Sequence, residues 1–411
     1  MSETPSKISV KEIYKIFGPD PASVLERVRA GASKSEILDE TGHTVGLRDV
    51  SLEIRPGETF VIMGLSGSGK STLIRHFNLL IEPTAGHILV DGHDVVDMGT
   101  EELRDLRRHR MSMVFQRFAL LPHKTVLENA VYGLKVAGVD KSEAEQRARE
   151  QIELVGLGGF EKQYPSQLSG GMQQRVGLAR ALATQSEILL MDEAFSALDP
   201  LIRNDMQGQL LELQQTLHKT IVFITHDLDE ALRLGDHIAI LKDGALSQVG
   251  TAEEILMDPA DDYVARFVRD VNRSRVITVG SIVSESRALR LSEVNPQSVA
   301  AGMEETGQRA IYVVDEDNRP IGAADEQVFA RVDGSSPVRP EHLHEPATVT
   351  TDMVIEEMLP TMATRDYPLA VVDHDGRFLG TVSRRDTVSE LVPRATEPEA
   401  AMAEAGAPGG R

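Results

Sequence analysis

Two hydrophobic rhythms alternate along the chain. Between residues 45 and 95 the apolar positions come in short runs: "VSLEI" alternates, "ETFVIMG" is continuous, and "GHILVDG" is bounded by glycines. Such runs predict strands, the continuous one buried on both faces. From about 97 to 180 the spacing turns helical in "EELRDLRRHR", "KTVLENAVYGLKVAG" and "KSEAEQRAREQIELVG", each closed by glycine or a change of pattern. Short apolar runs then return as "EILLMDE", "TIVFITHD" and "HIAILKDG", with helical patterns between them. Strands alternating with helices predict an α/β fold on a parallel sheet, here interrupted by a helical subdomain at about 97–180.

Two further patterns divide the chain. Residues 19–44 hold two short helical patterns, the second opened by Ser33 with Glu36 three residues on and closed by Gly42. That is a capping box and a glycine stop, so an inserted helical pair is expected. Near the C-terminus, "YVVDEDNRPIGAADEQVFA" (312–330) matches "AVVDHDGRFLGTVSRRDTV" (370–388) at an offset of 58 residues. Each copy reads as strand, turn, strand and helix, which predicts a pair of small α+β units packed on each other. The expected organisation is a first domain over 1–276, repeat units over 277–334 and 335–393, and a disordered, Ala-, Pro- and Glu-rich tail over 394–411.

Composition narrows the classes. The chain has 411 residues, too many for one core, and 41% are hydrophobic. No apolar run approaches a membrane span, and the first residues lack a secretory pattern. Without cysteine there are no disulfides, zinc thiolates or thiol nucleophiles. A formal charge of −21 argues against a nucleic-acid partner, which would require clustered cations. From Ile277 onward there are 12 basic and 23 acidic residues, and the last lysine is Lys242. That shift supports a separate downstream module.

The chemistry concentrates in the first domain. "GLSGSGKST" follows a strand and precedes "TLIRHFNLL", the context of a phosphate-binding loop. Backbone N–H groups of Gly64, Ser66, Gly67, Ser68 and Gly69 would wrap a phosphate, with Lys70 on the β/γ oxygens and Ser71 and Thr72 opening the helix. Ser71 would offer its hydroxyl to Mg²⁺. "EILLMDE" ends a strand with two carboxylates, Asp192 placed to hold Mg²⁺ through water and Glu193 to deprotonate the attacking water. Gln116 and His226 each follow an apolar strand, so both should emerge at the ligand-binding edge of the sheet.

Together these motifs resemble the ATP-binding-cassette (ABC) ATPases, over about residues 7–265. "LSGGMQQR" resembles the family signature, with Met172 where glutamine is usual; "SALD" resembles the D-loop, Gln116 the Q-loop and His226 the switch histidine. The resemblance implies ATP and Mg²⁺ as ligands, with Gln116 also near the metal. It implies two copies facing head to tail, Ser169, Gly170 and Gly171 of one meeting the γ-phosphate held by Lys70 of the other, with Asp199 at the same interface. It also implies an aromatic stacked on adenine, for which Phe17 is favoured over Tyr14.

The whole chain is similar to the ATPase subunits of bacterial glycine betaine/proline betaine importers, and its repeats resemble CBS (cystathionine-β-synthase) regulatory domains. That likeness implies a membrane permease subunit as partner, an indirect link to a solute-binding protein, and a peripheral place on the cytoplasmic face of the inner membrane. The apolar segment at Phe118, Leu120, Leu121 and Pro122 is where the permease is expected to dock. CBS pairs bind adenine nucleotides through a Ser or Thr and an Asp three residues on. Only the second copy carries that pair, Ser383 and Asp386; the first has Asp325 and Val328 there. Packing between copies is an alternative role, and a response of the acidic module to ionic strength is another, since screening shortens to about 10 Å at 0.1 M salt. Alternatives for the whole protein are an importer ATPase for another solute such as an amino acid, and a soluble ABC protein acting on ribosomes or DNA.

Overall fold

The computed structural model describes residues 5–116, 119–196, 198–329 and 338–392. The chain divides into two compact units, Met1–Val268 and Arg269–Arg411, so the break precedes the expected 276/277 boundary. The residues between belong with the second unit for a visible reason: Arg275 pairs with Glu356, and Ile355 N donates to Ile277 O.

In the first unit, β1 (Ile8–Phe17) leads through helices α1 (Ala22–Arg29) and α2 (Lys34–Thr41) into β2 (Thr44–Ile54) and β3 (Thr59–Met63). Helix α3 (Lys70–Phe77), β4 (Ala85–Val90), β5 (His93–Asp94) and α4 (Thr100–Asp105) follow, and a π-helical turn at Leu106–Arg110 enters β6 (Met111–Val114). Three helices come next: α5 (Val126–Val136), α6 (Lys141–Leu154) and α7 (Gly170–Ala183). Strands and helices then alternate as β7 (Ile188–Asp192), α8 (Pro200–Leu217), β8 (Thr220–Thr225), α9 (Leu228–Leu234), β9 (His237–Lys242) and β10 (Ala245–Gly250), ending in α10 (Ala252–Met257) and α11 (Asp262–Phe267).

The main sheet has the order β10-β9-β3-β8-β7-β6, parallel throughout except for the β9–β10 hairpin. Strands β3, β7 and β8 are buried along their whole length, as continuous apolar runs covered on both faces must be. A second, antiparallel sheet runs β2-β1-β4-β5. Its Ile8, Val10, Leu52 and Ile54 share one core with Phe60, Ile62, Leu190 and Ile224 of the main sheet and Leu73 and Phe77 of α3. Because β3, β7 and β8 are parallel and in register, with Met63 opposite Thr225 and Asp192 opposite Ile224, the segments after all three leave at one edge. The helical subdomain is narrower than expected from spacing alone: β6 lies inside the 97–180 stretch and pairs with β7, leaving α5–α7 as the helical block.

The inserted pair forms as its end signals dictate. Ser33 Oγ accepts from Glu36 N and the Glu36 carboxylate accepts from Ser33 N, while Gly42 closes α2 at φ 71°. Val24, Val28 and Ile37 bury against Tyr14, Ile16 and Val45, a small core of their own.

In the second unit, α12 (Val279–Ile282) comes first and bonds to the second repeat copy, Val279 N donating to Met353 O; β11 (Leu289–Arg290), α13 (Pro296–Thr306), β12 (Ile311–Val314), β13 (Pro320–Ala324) and α14 (Glu326–Phe329) make the first copy. The second copy is β14 (Thr348–Thr350), α15 (Ile355–Ala363), β15 (Leu369–Val372), β16 (Phe378–Val382) and α16 (Arg384–Leu391). Both sheets join a parallel pair to a hairpin, and the registers repeat: Val313 opposes Gly322 as Val371 opposes Gly380. Even the turns agree, since Asp315 Oδ1 and Asp373 Oδ1 each accept two backbone N–H bonds two and four residues on. The copies pack on each other through Tyr312, Ala323, Ala370 and Phe378, with Tyr312 Oη donating to Ala347 O and Pro368 O. The expected tail at 394–411 and Phe118 lie outside the described residues.

Candidate functional site

The phosphate loop occupies the turn between β3 and α3, where close packing leaves no room for a side chain at Gly64 or Gly69. A Cβ at Gly64 would stand 2.2 Å from Leu241 O, and one at Gly69 would stand 2.7 Å from Leu47 Cδ2 and 2.8 Å from Gly46 O. Ser68 is buried and its carbonyl accepts from Gly244 N at 3.0 Å, which ties the loop to the β9–β10 turn. Lys70 curls back over the loop, Nζ donating to Gly64 O at 2.7 Å and to Leu65 O at 3.1 Å. Burial pushes its ammonium below the usual lysine range, while Glu193 and Asp192 pull the other way. A phosphate beside it would add counter-charge and favour the ammonium further.

Ser66, Gly67, Gly69, Lys70, Ser71 and Thr72 line one part of a cleft of about 600 Å³, which Gln116 and Glu193 also line. Behind it, Asp192 is fully buried at the end of β7. Its Oδ1 accepts from Ser71 Oγ at 2.8 Å and its Oδ2 from Arg75 Nη2 at 3.1 Å. Ser71 and Arg75 are four apart on α3 and so share a face. Glu193 has φ 48°, a left-handed position that costs an ordinary residue about 1–2 kcal/mol. There its Oε2 accepts from Gln116 Nε2 at 2.7 Å, and His226 Nδ1 lies 3.8 Å from its Oε1. The site thus holds one largely buried carboxylate at the cleft wall, between an amide and an imidazole.

The donor set suits Mg²⁺. Ser71 hydroxyl, Asp192 carboxylate and the amide oxygen of Gln116 are all hard oxygen donors. Among the described residues no three His, Cys, Asp or Glu side chains group into a cage, so a cation here would draw its remaining ligands from phosphate and water.

Phe17 lines the same cleft and is 40% exposed, whereas Tyr14 is packed in the small core with α1 and α2. Lys15 Nζ stands 5.0 Å from the Phe17 ring centroid. A Cβ on Gly46 would meet Phe17 Cε2 at 2.8 Å, so glycine at 46 lets the ring lie across β2.

Ser169, Gly170, Gly171 and Asp199 do not line this chain's cleft. Ser169 is the N-cap of α7, its Oγ accepting from Met172 N at 3.3 Å. Only the backbone of Met172 enters that cap, so its departure from the signature leaves the helix start intact. Gln173 Nε2 donates to Pro165 O and Leu168 O and fixes the turn before it. A Cβ at Gly171 would lie 3.1 Å from Leu198 Cδ2, while the corresponding position at Gly170 is open. Asp199 caps α8, Oδ1 accepting from Ile202 N at 3.1 Å.

Three contributors escaped the motif reading. Arg75 neutralises Asp192, and its signal was the four-residue step from Ser71. Arg203 joins separate loops, Nη1 lying 3.3 Å from Asp227 Oδ2 and Nη2 3.4 Å from Leu198 O. Lys34, Ser35 and Leu38 of α2 line the cleft, and nothing in their local pattern distinguishes them from a solvated helix face.

In the second unit, Ser383 and Asp386 form the cap of α16: Ser383 Oγ donates to Asp386 Oδ2 at 2.6 Å and accepts from Asp386 N at 3.2 Å. Both line a cleft of about 890 Å³ together with Arg287, Arg309, Arg365, Arg384 and Arg385. At the matching place in the first copy, Asp325 Oδ1 accepts from Gln327 N and Val328 N.

Comparison with known proteins accords with this architecture. The ABC transporter family model matches residues 47–196 and the CBS domain model residues 341–393. The glycine betaine transport ATP-binding protein OpuAA of Bacillus subtilis is 49% identical over 394 residues, 95% of this chain and 94% of that protein. The glycine betaine/proline betaine transport system ATP-binding protein ProV of Escherichia coli is 43% identical over 382 residues, 92% of this chain and 96% of its own length. The dimeric structure of a bacterial ABC transporter cassette superposes with a TM-score of 0.52 at 33% identity, covering 60% of this chain and 98% of that one. The chain belongs to the ATP-binding, ATP-hydrolysing subunits of ABC transporters, with a CBS region at its C-terminal end.

Proposed function

We propose that this protein is the energy-coupling subunit of an importer for quaternary-ammonium osmoprotectants such as glycine betaine and proline betaine. The observation that carries the reading is similarity along almost the whole chain, inserted helices and C-terminal unit included, to subunits named for that transport. No helix among the described residues is long and apolar enough to cross a membrane. On this reading a permease subunit supplies the path for the solute. The segment after Gln116 is its docking place on this reading; Leu120 and Leu121 are half-buried there, and Asn129 braces the turn by bonding Leu121 at both backbone atoms. The protein then sits peripherally on the cytoplasmic face of the inner membrane, and a solute-binding protein engages it only through the permease.

Hydrolysis proceeds between two copies arranged head to tail. Phe17 stacks on adenine, the amides of Gly64–Gly69 cradle the phosphates, and Lys70 holds the β/γ oxygens. Ser71 and Gln116 would hold Mg²⁺, with Asp192 behind them through water, and the ion would supply counter-charge for the phosphate oxygens. Glu193 accepts a proton from the water whose oxygen bonds to the γ-phosphorus as the bond to the ADP oxygen breaks. His226 steadies the γ-phosphate beside it. Ser169, Gly170 and Gly171 present an open helix N-terminus to the nucleotide of the other copy, with Asp199 at the seam. On the same reading, Ser383 and Asp386 would take a regulatory adenine nucleotide in the arginine-lined cleft.

Glu193→Gln tests the core of this scheme. ATP binding should persist, hydrolysis should fall by at least a hundredfold, and a nucleotide-bound dimer should accumulate in light scattering. Hydrolysis at the wild-type rate would overturn the role of Glu193.

A further inference from the structure

Helix α2 stands in the insertion between β1 and β2, outside the phosphate loop and its catalytic edge, yet three of its residues line the cleft. Lys34, Ser35 and Leu38 fall on one helical face, and Leu38 is 49% exposed although its neighbour Ile37 is fully buried. The cleft that Leu38 lines also holds the exposed Phe17 ring and Val45 of β2, which with Leu38 make up its apolar lining.

The helix is fixed there at several points. Ile37 anchors it in the core with Tyr14, Ile16 and Val45, the Ser33–Glu36 box fixes its start, and Gly42 fixes its end. Lys34 reaches the turn between β9 and β10, its Nζ 3.1 Å from where a Cβ on Gly244 would stand. Asp243 beside it favours the ammonium against the cost of burial. Gly244 in turn donates to Ser68 O of the phosphate loop and accepts from Arg48 N. The chain of contacts α2–Gly244–Ser68 therefore sets the distance between Leu38 and the phosphate loop.

We propose that α2 is a second wall of the nucleotide-base site, with Leu38 packing on the base or ribose that Phe17 contacts from β1. The inserted helices then serve nucleotide affinity, giving the base an apolar enclosure that β1 and β2 alone leave open. Covering an exposed leucine withdraws its surface from water, which sets the expected effect at roughly fivefold to tenfold in affinity. The wall touches the base end only, so it should discriminate a nucleotide from a bare phosphate chain.

This rests on the cleft being the ATP site, and the test separates the two claims. The full-length protein, wild-type and with Leu38→Ala, Leu38→Asp, Leu38→Met or Lys70→Ala, is titrated calorimetrically with ADP and with inorganic pyrophosphate, both with Mg²⁺. Leu38→Ala and Leu38→Asp should weaken ADP roughly fivefold or more while leaving pyrophosphate unchanged, and Leu38→Met should restore ADP affinity. Lys70→Ala should weaken both ligands. Unchanged ADP affinity in both Leu38→Ala and Leu38→Asp would overturn the second wall, as would equal weakening of ADP and pyrophosphate, which would mark a mere disturbance of the loop. Lys70→Ala without effect on either ligand would instead overturn the cleft as the nucleotide site.

Discussion

Arg203 offers a quantitative test of how the site is braced. Its guanidinium meets Asp227 and Leu198 O, and its Nε lies 3.7 Å from Glu230 Oε1. Glu230 is 6% exposed and accepts from Thr225 Oγ1 and from Gln207 Nε2. Burial pushes its carboxyl above the usual glutamate range and Asp227 adds to that, whereas Thr225, Arg203 and Gln207 pull it down. Replacing Arg203 with methionine keeps most of the packing volume and removes the cation. Breaking a fully buried pair costs about 3–5 kcal/mol. The contact here is long and Arg203 keeps 28% of its side-chain surface, so the expected loss is about 1–2 kcal/mol near neutrality.

The sign of the pH dependence follows. A carboxyl whose folded pKa lies above its unfolded value opposes folding once it ionises. That opposition is absent below the unfolded pKa and grows as pH rises towards the folded one. Arg203→Met raises the folded value further, so the variant should be hurt more at about pH 8 than at about pH 5. Thermal unfolding of the full chain, followed by far-ultraviolet circular dichroism on the first unit's transition, should show a drop of roughly 3–6 °C at the higher pH and a clearly smaller one at the lower. ATPase activity should fall as well, because Asp227 follows His226 and Leu198 lies in the D-loop. Equal destabilisation at both pH values would refute the coupling to Glu230.

Two other outcomes bear on the remaining assignments. Ser169→Arg should spare ADP binding to an isolated copy but abolish hydrolysis, because in the proposed head-to-tail pair it would place a long cation where the other copy's γ-phosphate is to be received; ADP titration alongside a phosphate-release assay decides. Asp386→Ala should lower the affinity of the full-length protein for AMP at the second unit, and it should loosen the start of α16 by removing the acceptor of Ser383 N and Ser383 Oγ. Calorimetric titration of AMP shows which effect operates: wild-type AMP affinity would leave Asp386 with the cap alone.

Local signals were legible wherever the chemistry is contiguous. The phosphate loop, the Asp192–Glu193 pair and the box at Ser33 each sit within a few residues, and each forms as spacing and end signals require. The 58-residue repeat was equally plain, down to the turns on Asp315 and Asp373. Strand β1 was harder to read. Glu12 takes φ 48°, and register shifts on either side of Ile13 break the alternation, so Ile13 and Tyr14 are both buried. Strand β6 was legible as the apolar run before Gln116, but its place beside β7 was not, since that pairing joins residues more than seventy positions apart. The Arg203 brace was illegible too, since Asp227 and Glu230 come from the next strand–helix unit, and so was the lining of the cleft by α2, since local pattern does not say which cleft a helix face borders. A one-dimensional pattern shows which residues a helix buries but not which cleft its exposed face lines.

The central claim is that ATP hydrolysis by this chain drives uptake of a quaternary-ammonium osmoprotectant. Vesicles reconstituted with the protein, its permease and its solute-binding protein test it directly, with ATP on the side of this subunit and labelled glycine betaine on the other. The account predicts ATP-dependent accumulation of glycine betaine that Glu193→Gln abolishes. Accumulation of a different solute such as an amino acid with none of glycine betaine, or betaine uptake undiminished by Glu193→Gln, would contradict it.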